Sequence, residues 1–193
     1  MVSELETRVL AAFFPKPTGK TIKEIEASSG YSYERVNTAL KGLEKKGIVQ
    51  ASRVGVVLTY DLVTGTDEAF LGFVSYEMNR RKSFRESYRK AEQAVSELLL
   101  AVKCDVAILF GSYAKGTPAE SSDIDVFIVG DEPEADAKAL SLRHKWGLNI
   151  NAVSLKRDKF TDMPKDNPQF YQDLVEFGIV MKGLDVYYEL VYR

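Results

Sequence analysis

Hydrophobic positions in the first 65 residues recur at helical spacing in three short segments and then alternate with polar ones. SELETRVLAAFF starts at Ser3 and TIKEIEASSG starts at Thr21, and in both segments a glutamate follows three residues later, as in a capping box. SYERVNTALKGLEKKG ends at Gly47, and IVQASRVGVVLTYDLV reads as two strands joined by a turn. The pattern predicts three helices followed by a β-hairpin.

The rest of the chain first shows a long helical pattern and then an alternation of strands and helices. Residues 66–104 predict one long helix, or two with a bend near Ser83, that connects two domains. Its basic middle, NRRKSFRES, is either a solvated helix surface or a contact for nucleic acid or a nucleotide. Beyond it, DVAILF, SDIDVFIVG and LNINAVSL predict strands, EADAKALSLRHKWG and NPQFYQDLVEFG predict helices, and TDMPKDNP predicts a loop. The aromatic-rich C-terminus, DVYYELVYR, is either an edge strand or a contact surface.

Composition narrows the chemistry that this chain can perform. No apolar run approaches the ~18 residues that span a bilayer, and the acidic N-terminus is unlike a signal peptide, so we expect a cytoplasmic protein without a membrane contact. A single cysteine, Cys104, excludes an internal disulfide, and a single histidine, His144, argues against a histidine-ligated metal. Any bound metal is therefore expected to be a hard cation with oxygen ligands.

Charge is unevenly distributed, which suggests two modules with different partners. Residues 1–65 contain nine Lys and Arg against seven Asp and Glu, a net of +2. Residues 105–193 contain ten against fifteen, a net of −5.

The N-terminal segment resembles a winged helix-turn-helix domain over residues 3–64. KTIKEIEASSGYSYERVNTALKGLEKKGIVQ is similar to the second helix, turn and recognition helix of that family, and LEKKGIV to the run into its wing. The resemblance implies a recognition helix in the DNA major groove and a wing on the backbone. Residues 1–65 are then expected either to contact DNA or to serve as a protein-contact module. In the second case the candidate DNA-binding side chains named next form only a solvated surface. The candidate DNA-binding residues are Tyr33, Arg35, Asn37, Lys41, Lys45 and Arg53.

The segment LFGSYAKGTPAESSDIDVFIVG carries the strongest indication of chemistry. Asp123 and Asp125 stand two positions apart, so in a strand they point to the same face, opposite the apolar side chains that enter the core. Paired carboxylates on a half-buried strand repel each other and lose solvation unless a cation compensates, and Mg²⁺ is bound by such groups together with substrate phosphates. Gly111 permits a close backbone approach to a phosphate, and the Ser112 hydroxyl can donate to one.

These residues resemble the Gly-Ser, ten residues, Asp-x-Asp motif of the polymerase-β-type nucleotidyltransferase superfamily, and most closely its minimal members. The late NPQFYQDLVEFGIVMKG resembles the helix and strand that close those domains. The resemblance implies an α+β mixed-sheet domain over residues 105–193 that transfers a nucleoside monophosphate from an NTP, with ATP expected. It implies that Gly111, Ser112 and Lys115 bind the nucleotide and that Asp123 and Asp125 hold Mg²⁺. It also implies that the acceptor can be a protein hydroxyl, as in antitoxins that adenylylate a HEPN-type partner.

The chain departs from that family at the third carboxylate. The matching strand, GLNINAVSL, offers Asn151, with Asn149 on the same strand face, and an amide is a poorer Mg²⁺ ligand and no base at neutral pH. Of the remaining candidates, Lys115 either touches a phosphate or is solvated, and His144 and Trp146 are expected to pack at a helix end.

Two functions remain open at this stage. The first is a Mg²⁺-dependent nucleotidyltransferase with a winged-helix module for DNA or partner binding. The second is a DNA-binding regulator whose nucleotidyltransferase domain only binds nucleotide or is inactive, and a protein-binding scaffold is a further alternative. Because winged-helix regulators often dimerise, we also expect a homodimer.

Overall fold

The computed structural model describes residues 2–193, all but Met1. The chain divides into two compact units, of which the first contains the chain up to Met78 together with Tyr192 and Arg193, and the second contains Asn79–Val191. The division falls inside a helix that the sequence assigns to the connector.

Three helices and a hairpin form most of the first unit, in the order that the sequence predicts. They are α1 (Glu4–Ala11), α2 (Ile22–Ser29), α3 (Tyr33–Lys45), β2 (Val49–Val54) and β3 (Val57–Leu62), with a two-residue strand, β1 (Lys20–Thr21), before α2. The sheet order is β1-β3-β2, and all pairs are antiparallel. Both predicted capping boxes form, Ser3 with Glu6 and Thr21 with Glu24, so these starts are fixed by local sequence.

The connector consists of two helices, α4 (Asp67–Ser87) and α5 (Arg89–Ala101). They are separated at Tyr88, which has non-helical backbone angles (φ −136°, ψ 52°), and its ring packs against Tyr113 and Phe84. Of the two alternatives, one long helix or two, the structure has two.

A four-stranded mixed sheet forms the centre of the second unit. Its order is β6-β5-β4-β7; β4 is antiparallel to β5 and β7, while β5 and β6 are parallel. The strands are β4 (Val106–Phe110), β5 (Ile124–Val129), β6 (Ile150–Leu155) and β7 (Ile179–Lys182), and the helices are α6 (Gly111–Lys115), α7 (Ala135–Trp146), α8 (Arg157–Asp166), α9 (Pro168–Phe177) and α10 (Leu184–Tyr192).

Alternating side chains of β5 serve the two faces of this sheet. Ile124, Val126 and Ile128 are fully buried in a core that also contains residues of α5 and α7. Phe127, which points to the opposite face, packs with aromatic rings of α8 and α9. Asp125 lies on the Phe127 face, where the strand begins.

Near the C-terminus one prediction is wrong, and one of two alternatives is excluded. The segment TDMPKDNP lies mostly in helix α8, where Phe160 and Met163 stand three residues apart and are both buried. Pro164 lies inside this helix and has no N–H to donate to the carbonyl four residues earlier, so the burial of the apolar face outweighs one lost hydrogen bond. DVYYELVYR lies in helix α10 and not in an edge strand, and Tyr187 and Tyr188 are buried.

Within residues 2–193, no helix is both long enough and apolar enough to cross a lipid bilayer.

Candidate functional site

The two aspartates lie where β5 begins. Asp125 is the second residue of the strand and is half-buried, whereas Asp123 directly precedes the strand and is exposed. The parallel register pairs Asp125 with Asn151 on β6. The backbone N–H of Ile124 donates to the carbonyl of Asn149 at 2.9 Å, so the pairing continues one step upstream and brings Asp123 beside Asn149.

Asn151 occupies the position beside the acid pair that the sequence assigns to it. Its Nδ2 donates to Asp125 Oδ1 at 3.2 Å. The pKa of Asp125 is raised, chiefly because burial disfavours its charged form; the Asn151 hydrogen bond lowers it, and the nearby charge of Asp123 raises it further. The charged form of Asp125 is therefore destabilised by burial and by repulsion from Asp123, and the hydrogen bond from Asn151 offsets only part of this cost.

Gly111 brings the backbone of one strand end against the acid of the next. It follows β4, whose last residue, Phe110, pairs with Asp125. Its φ is +69°, and a Cβ at this position would collide with Asp125 Oδ2. Only glycine satisfies both conditions, because other residues have a Cβ and avoid positive φ.

Ser112 follows in the short helix α6 and is half-buried. Its carbonyl accepts from the N–H of Thr117 at 2.9 Å, which closes the loop after α6. The Gly111–Ser112 turn and the acid pair therefore lie on adjacent strand ends.

Lys115 is engaged with α9. Its Nζ lies 3.5 Å from Asp173 Oδ2 and 4.7 Å from the ring centroid of Phe177. Both contacts are partly exposed, so they hold the ammonium weakly.

A cleft of about 510 Å³ adjoins Asp123. Residues 120–123 line one side of it, and the end of α7 with the following turn, through Asn149, lines the other. Arg143 and His144 both face this cleft and are exposed.

The expectation that His144 and Trp146 pack at the end of α7 is right for Trp146 alone. Trp146 is half-buried, and its Nε1 donates to Glu97 Oε2 at 3.0 Å, whereas His144 is exposed. Sequence reasoning missed the cleft and Arg143, because basic residues in a last helical turn are expected for the helix dipole alone.

Most of the candidate DNA-binding residues lie on the surface of the first unit. Asn37 is half-buried, and the Arg35 guanidinium stacks over the Tyr31 ring at 4.0 Å, an arrangement that holds its side chain. The exposed ones are Tyr33, Arg35, Lys41 and Lys45 on α3 and Arg53 on β2.

The donor set around Asp125 fits a hard divalent cation. Asp123 and Asp125 offer carboxylate oxygens, whereas the Asn151 amide turns its Nδ2 towards Asp125. Burial raises the pKa of Asp125, and a cation nearby would favour its charged form. Within residues 2–193, no group of three or more His, Cys, Asp or Glu residues is arranged to hold a metal ion.

Comparison with known proteins assigns the part of the chain that contains this site to a nucleotidyltransferase family. The family model described as "Nucleotidyltransferase domain" matches residues 88–179. A Methanocaldococcus jannaschii protein named "Putative protein adenylyltransferase" is 37% identical over 98 residues, which is 47% of this chain and 96% of that protein. No solved structure matches the chain. Since the match covers nearly all of that relative and contains the paired aspartates and the Gly-Ser turn within the family range, the chain belongs to the nucleotidyltransferase domain family.

Proposed function

We propose that this protein transfers a nucleoside monophosphate from ATP to a hydroxyl group of an acceptor protein. The observation that carries the proposal is the junction of β4 and β5, where the side-chain-free Gly111 lies against the carboxylate of Asp125. This arrangement brings the backbone turn that can bind a phosphate directly beside the acid pair that can bind a cation.

Each residue of the junction has a separate task. Gly111 and Ser112 bind the triphosphate, through the backbone and the hydroxyl respectively, and Lys115 can join them by leaving Asp173. Asp123 and Asp125 hold Mg²⁺, which when bound neutralises charge on the transferring phosphoryl group. Asn151 fixes the Asp125 carboxylate through its amide hydrogen bond.

The name of the Methanocaldococcus jannaschii relative supports a protein as the acceptor, since that name describes adenylyl transfer to protein. A HEPN-type protein is the first acceptor to test. The first unit, with its helices, hairpin and exposed lysines on α3, is proposed to be a winged-helix module that binds DNA or the partner.

Transfer is tested by incubating the full-length protein with Mg²⁺ and ATP labelled at the α-phosphate, with and without a HEPN-type protein. We expect label on the acceptor, and its loss in Asp123→Ala and Asp125→Ala. Label transfer that persists unchanged in both variants would contradict the assignment of Asp123 and Asp125 to the active site.

Asn151 favours a second candidate function, a DNA-binding regulator in which the nucleotidyltransferase domain only binds nucleotide. A neutral amide replaces the third carboxylate, which in this family assists deprotonation of the acceptor. The regulator is the better description if Asn151→Asp produces label transfer that the natural protein lacks, while the natural protein binds ATP and DNA.

A further inference from the structure

The cleft beside Asp123 is separate from the turn at Gly111 and Ser112. Neither of those residues, nor Lys115, lines it, yet Asp123 does. A molecule in the cleft therefore meets the acid pair from a different side than a triphosphate held at the Gly-Ser turn. A transfer reaction needs two binding places of this kind, one for each substrate.

The two sides of the cleft differ in charge. Glu120 and Asp123 lie on the side formed by the loop before β5, and Arg143 and His144 lie on the side formed by the end of α7. Leu148 is the one apolar side chain among the nine lining residues described. A cleft so polar does not suit a nucleobase or an apolar ligand, which need apolar or aromatic contact.

Arg143 is available to a ligand, whereas its neighbour Lys145 is not. Lys145 Nζ contacts both carboxylate oxygens of Glu97, at 2.7 and 2.6 Å, and Trp146 donates to the same group. Among residues 2–193, the Arg143 side chain has no hydrogen bond or ion pair of its own. Glu97 thus anchors the end of α7 through Lys145 and Trp146, while Arg143 lines the cleft and, within the described residues, is not paired with another side chain.

We propose that this cleft binds the acceptor and that Arg143 selects an acceptor segment with a carboxylate next to its reacting hydroxyl. The inference rests on the proposed transfer function and adds the substrate class: an acidic polypeptide segment. A guanidinium binds a carboxylate with two parallel hydrogen bonds, which gives orientation as well as affinity. The segment places its acidic residue on the Arg143 side and its hydroxyl on the Asp123 side.

The reaction at that point is a balanced displacement. The acceptor oxygen forms a bond to the α-phosphorus of ATP, the bond from that phosphorus to the bridging oxygen breaks, and pyrophosphate leaves with the electron pair. The hydroxyl proton passes to the solvent that fills the open cleft. Arg143 takes no part in these bond changes and is a specificity residue.

The test uses two synthetic peptides of equal length, each with one serine, flanked by glutamates in one and by lysines in the other. Their binding to the ¹⁵N-labelled full-length protein, with Mg²⁺ and a non-hydrolysable ATP analogue present, is measured by NMR. We expect the glutamate peptide to shift the amides of Arg143, His144 and Asn149 and to bind about tenfold more tightly than the lysine peptide. Arg143→Glu reverses this preference, and Arg143→Lys retains part of it.

Arg157→Glu is the matched control, because it makes the same charge change at an exposed position of α8 outside the cleft. Equal binding of the two peptides, unchanged binding to Arg143→Glu, or amide shifts away from the cleft would each overturn the inference. Peptide preference is read from binding and not from turnover. A failure of label transfer therefore counts against the proposed function alone, and a failure of the preference counts against the acceptor cleft alone.

Discussion

At Gly111, the absence of a side chain determines where a carboxylate lies. The positive φ and the closeness of Asp125 Oδ2 are two independent reasons for glycine at this position. Gly116, at the end of the same short helix, has a similar φ of +74°, but nothing lies within 4 Å of a Cβ placed there. A substitution at Gly116 therefore tests backbone strain alone, whereas the same substitution at Gly111 tests backbone strain together with displacement of the Asp125 carboxylate.

We expect Gly111→Ala and Gly116→Ala to lose similar stability, about 1–2 kcal/mol, because both force an alanine into the left-handed region. Only Gly111→Ala should also displace the Asp125 carboxylate and lose ATP binding. Urea unfolding and titration with a fluorescent ATP analogue measure the two effects. Equal ATP affinity in the two variants would contradict the assigned role of Gly111.

The raised pKa of Asp125 makes a signed prediction about pH. A carboxyl whose pKa is higher in the folded than in the unfolded state contributes stability at low pH, and this contribution is lost as pH rises from about 3.8 through the folded value. In metal-free buffer, Asp125→Asn should therefore be more stable than the natural protein at pH 7, with a difference that shrinks towards pH 4.

Urea midpoints measured across this pH range test the prediction, with Asp158→Asn, an exposed change on α8, as the control. If the natural protein were as stable as Asp125→Asn at pH 7, burial of the charged Asp125 carboxylate would not lower the free energy of unfolding, which would contradict the prediction.

At the scale of elements, the basic middle of the connector has a structural task. Arg80 donates to the carbonyls of Phe177 and Gly178, and Arg81 donates to that of Val180, so α4 is tied to the end of α9 and the start of β7. The carbonyls at a helix end lack partners within the helix, and here a guanidinium supplies them. These two arginines therefore bind backbone carbonyls of the protein itself, a role that differs from both alternatives suggested by the sequence, a solvated surface and a contact for nucleic acid or a nucleotide.

Arg80→Ala should lower the free energy of unfolding by about 2 kcal/mol, because it removes hydrogen bonds from a charged donor to carbonyls. Lys82→Ala, two residues on, removes only an exposed pair with Glu86 at 3.9 Å and should cost about 0.5 kcal/mol or less. Urea unfolding measures both, and equal losses would show that the arginine contacts contribute no more than a surface pair.

At the scale of the whole molecule, the two modules differ in charge. Residues 1–65 have a net charge of +2 and residues 105–193 have −5, so a polyanion such as DNA is attracted to the first module and repelled by the second. The modest positive balance means that any DNA affinity depends on a few lysines and arginines of α3 and the hairpin.

Lys41→Glu combined with Lys45→Glu should weaken binding to duplex DNA at least about tenfold, and should reduce the magnitude of the salt-dependence slope by about 2, since each phosphate contact contributes about 0.9. Lys159→Glu with Lys165→Glu makes the same charge change on α8 and should have less effect. Fluorescence anisotropy at several salt concentrations measures this. Equal losses in the two double variants would favour a protein-contact module in residues 1–65.

Local patterns determined much of this protein. The capping boxes at Ser3 and Thr21, the helices and hairpin of the first unit, and the strands on either side of the Gly-Ser turn follow from propensity and periodicity, because their signals lie within a few residues. The place of Asn151 beside Asp125 was implied by the family resemblance and not by a local pattern, and the parallel register of β5 and β6 pairs the two residues.

Other features depend on residues that meet only in the folded chain. The helix α8 forms despite Pro164 because Phe160 packs against rings of other elements and Met163 is buried on the same face of the helix. The anchoring of Lys145 and Trp146 by Glu97 joins positions nearly fifty residues apart, whereas Arg143 lines the cleft without a side-chain partner in the described part of the chain. The sequence by itself determined most of the elements and the acid pair. Tertiary packing decided the helices α8 and α10, and which charged side chains are held and which remain open to a ligand, because these depend on neighbours distant in the chain.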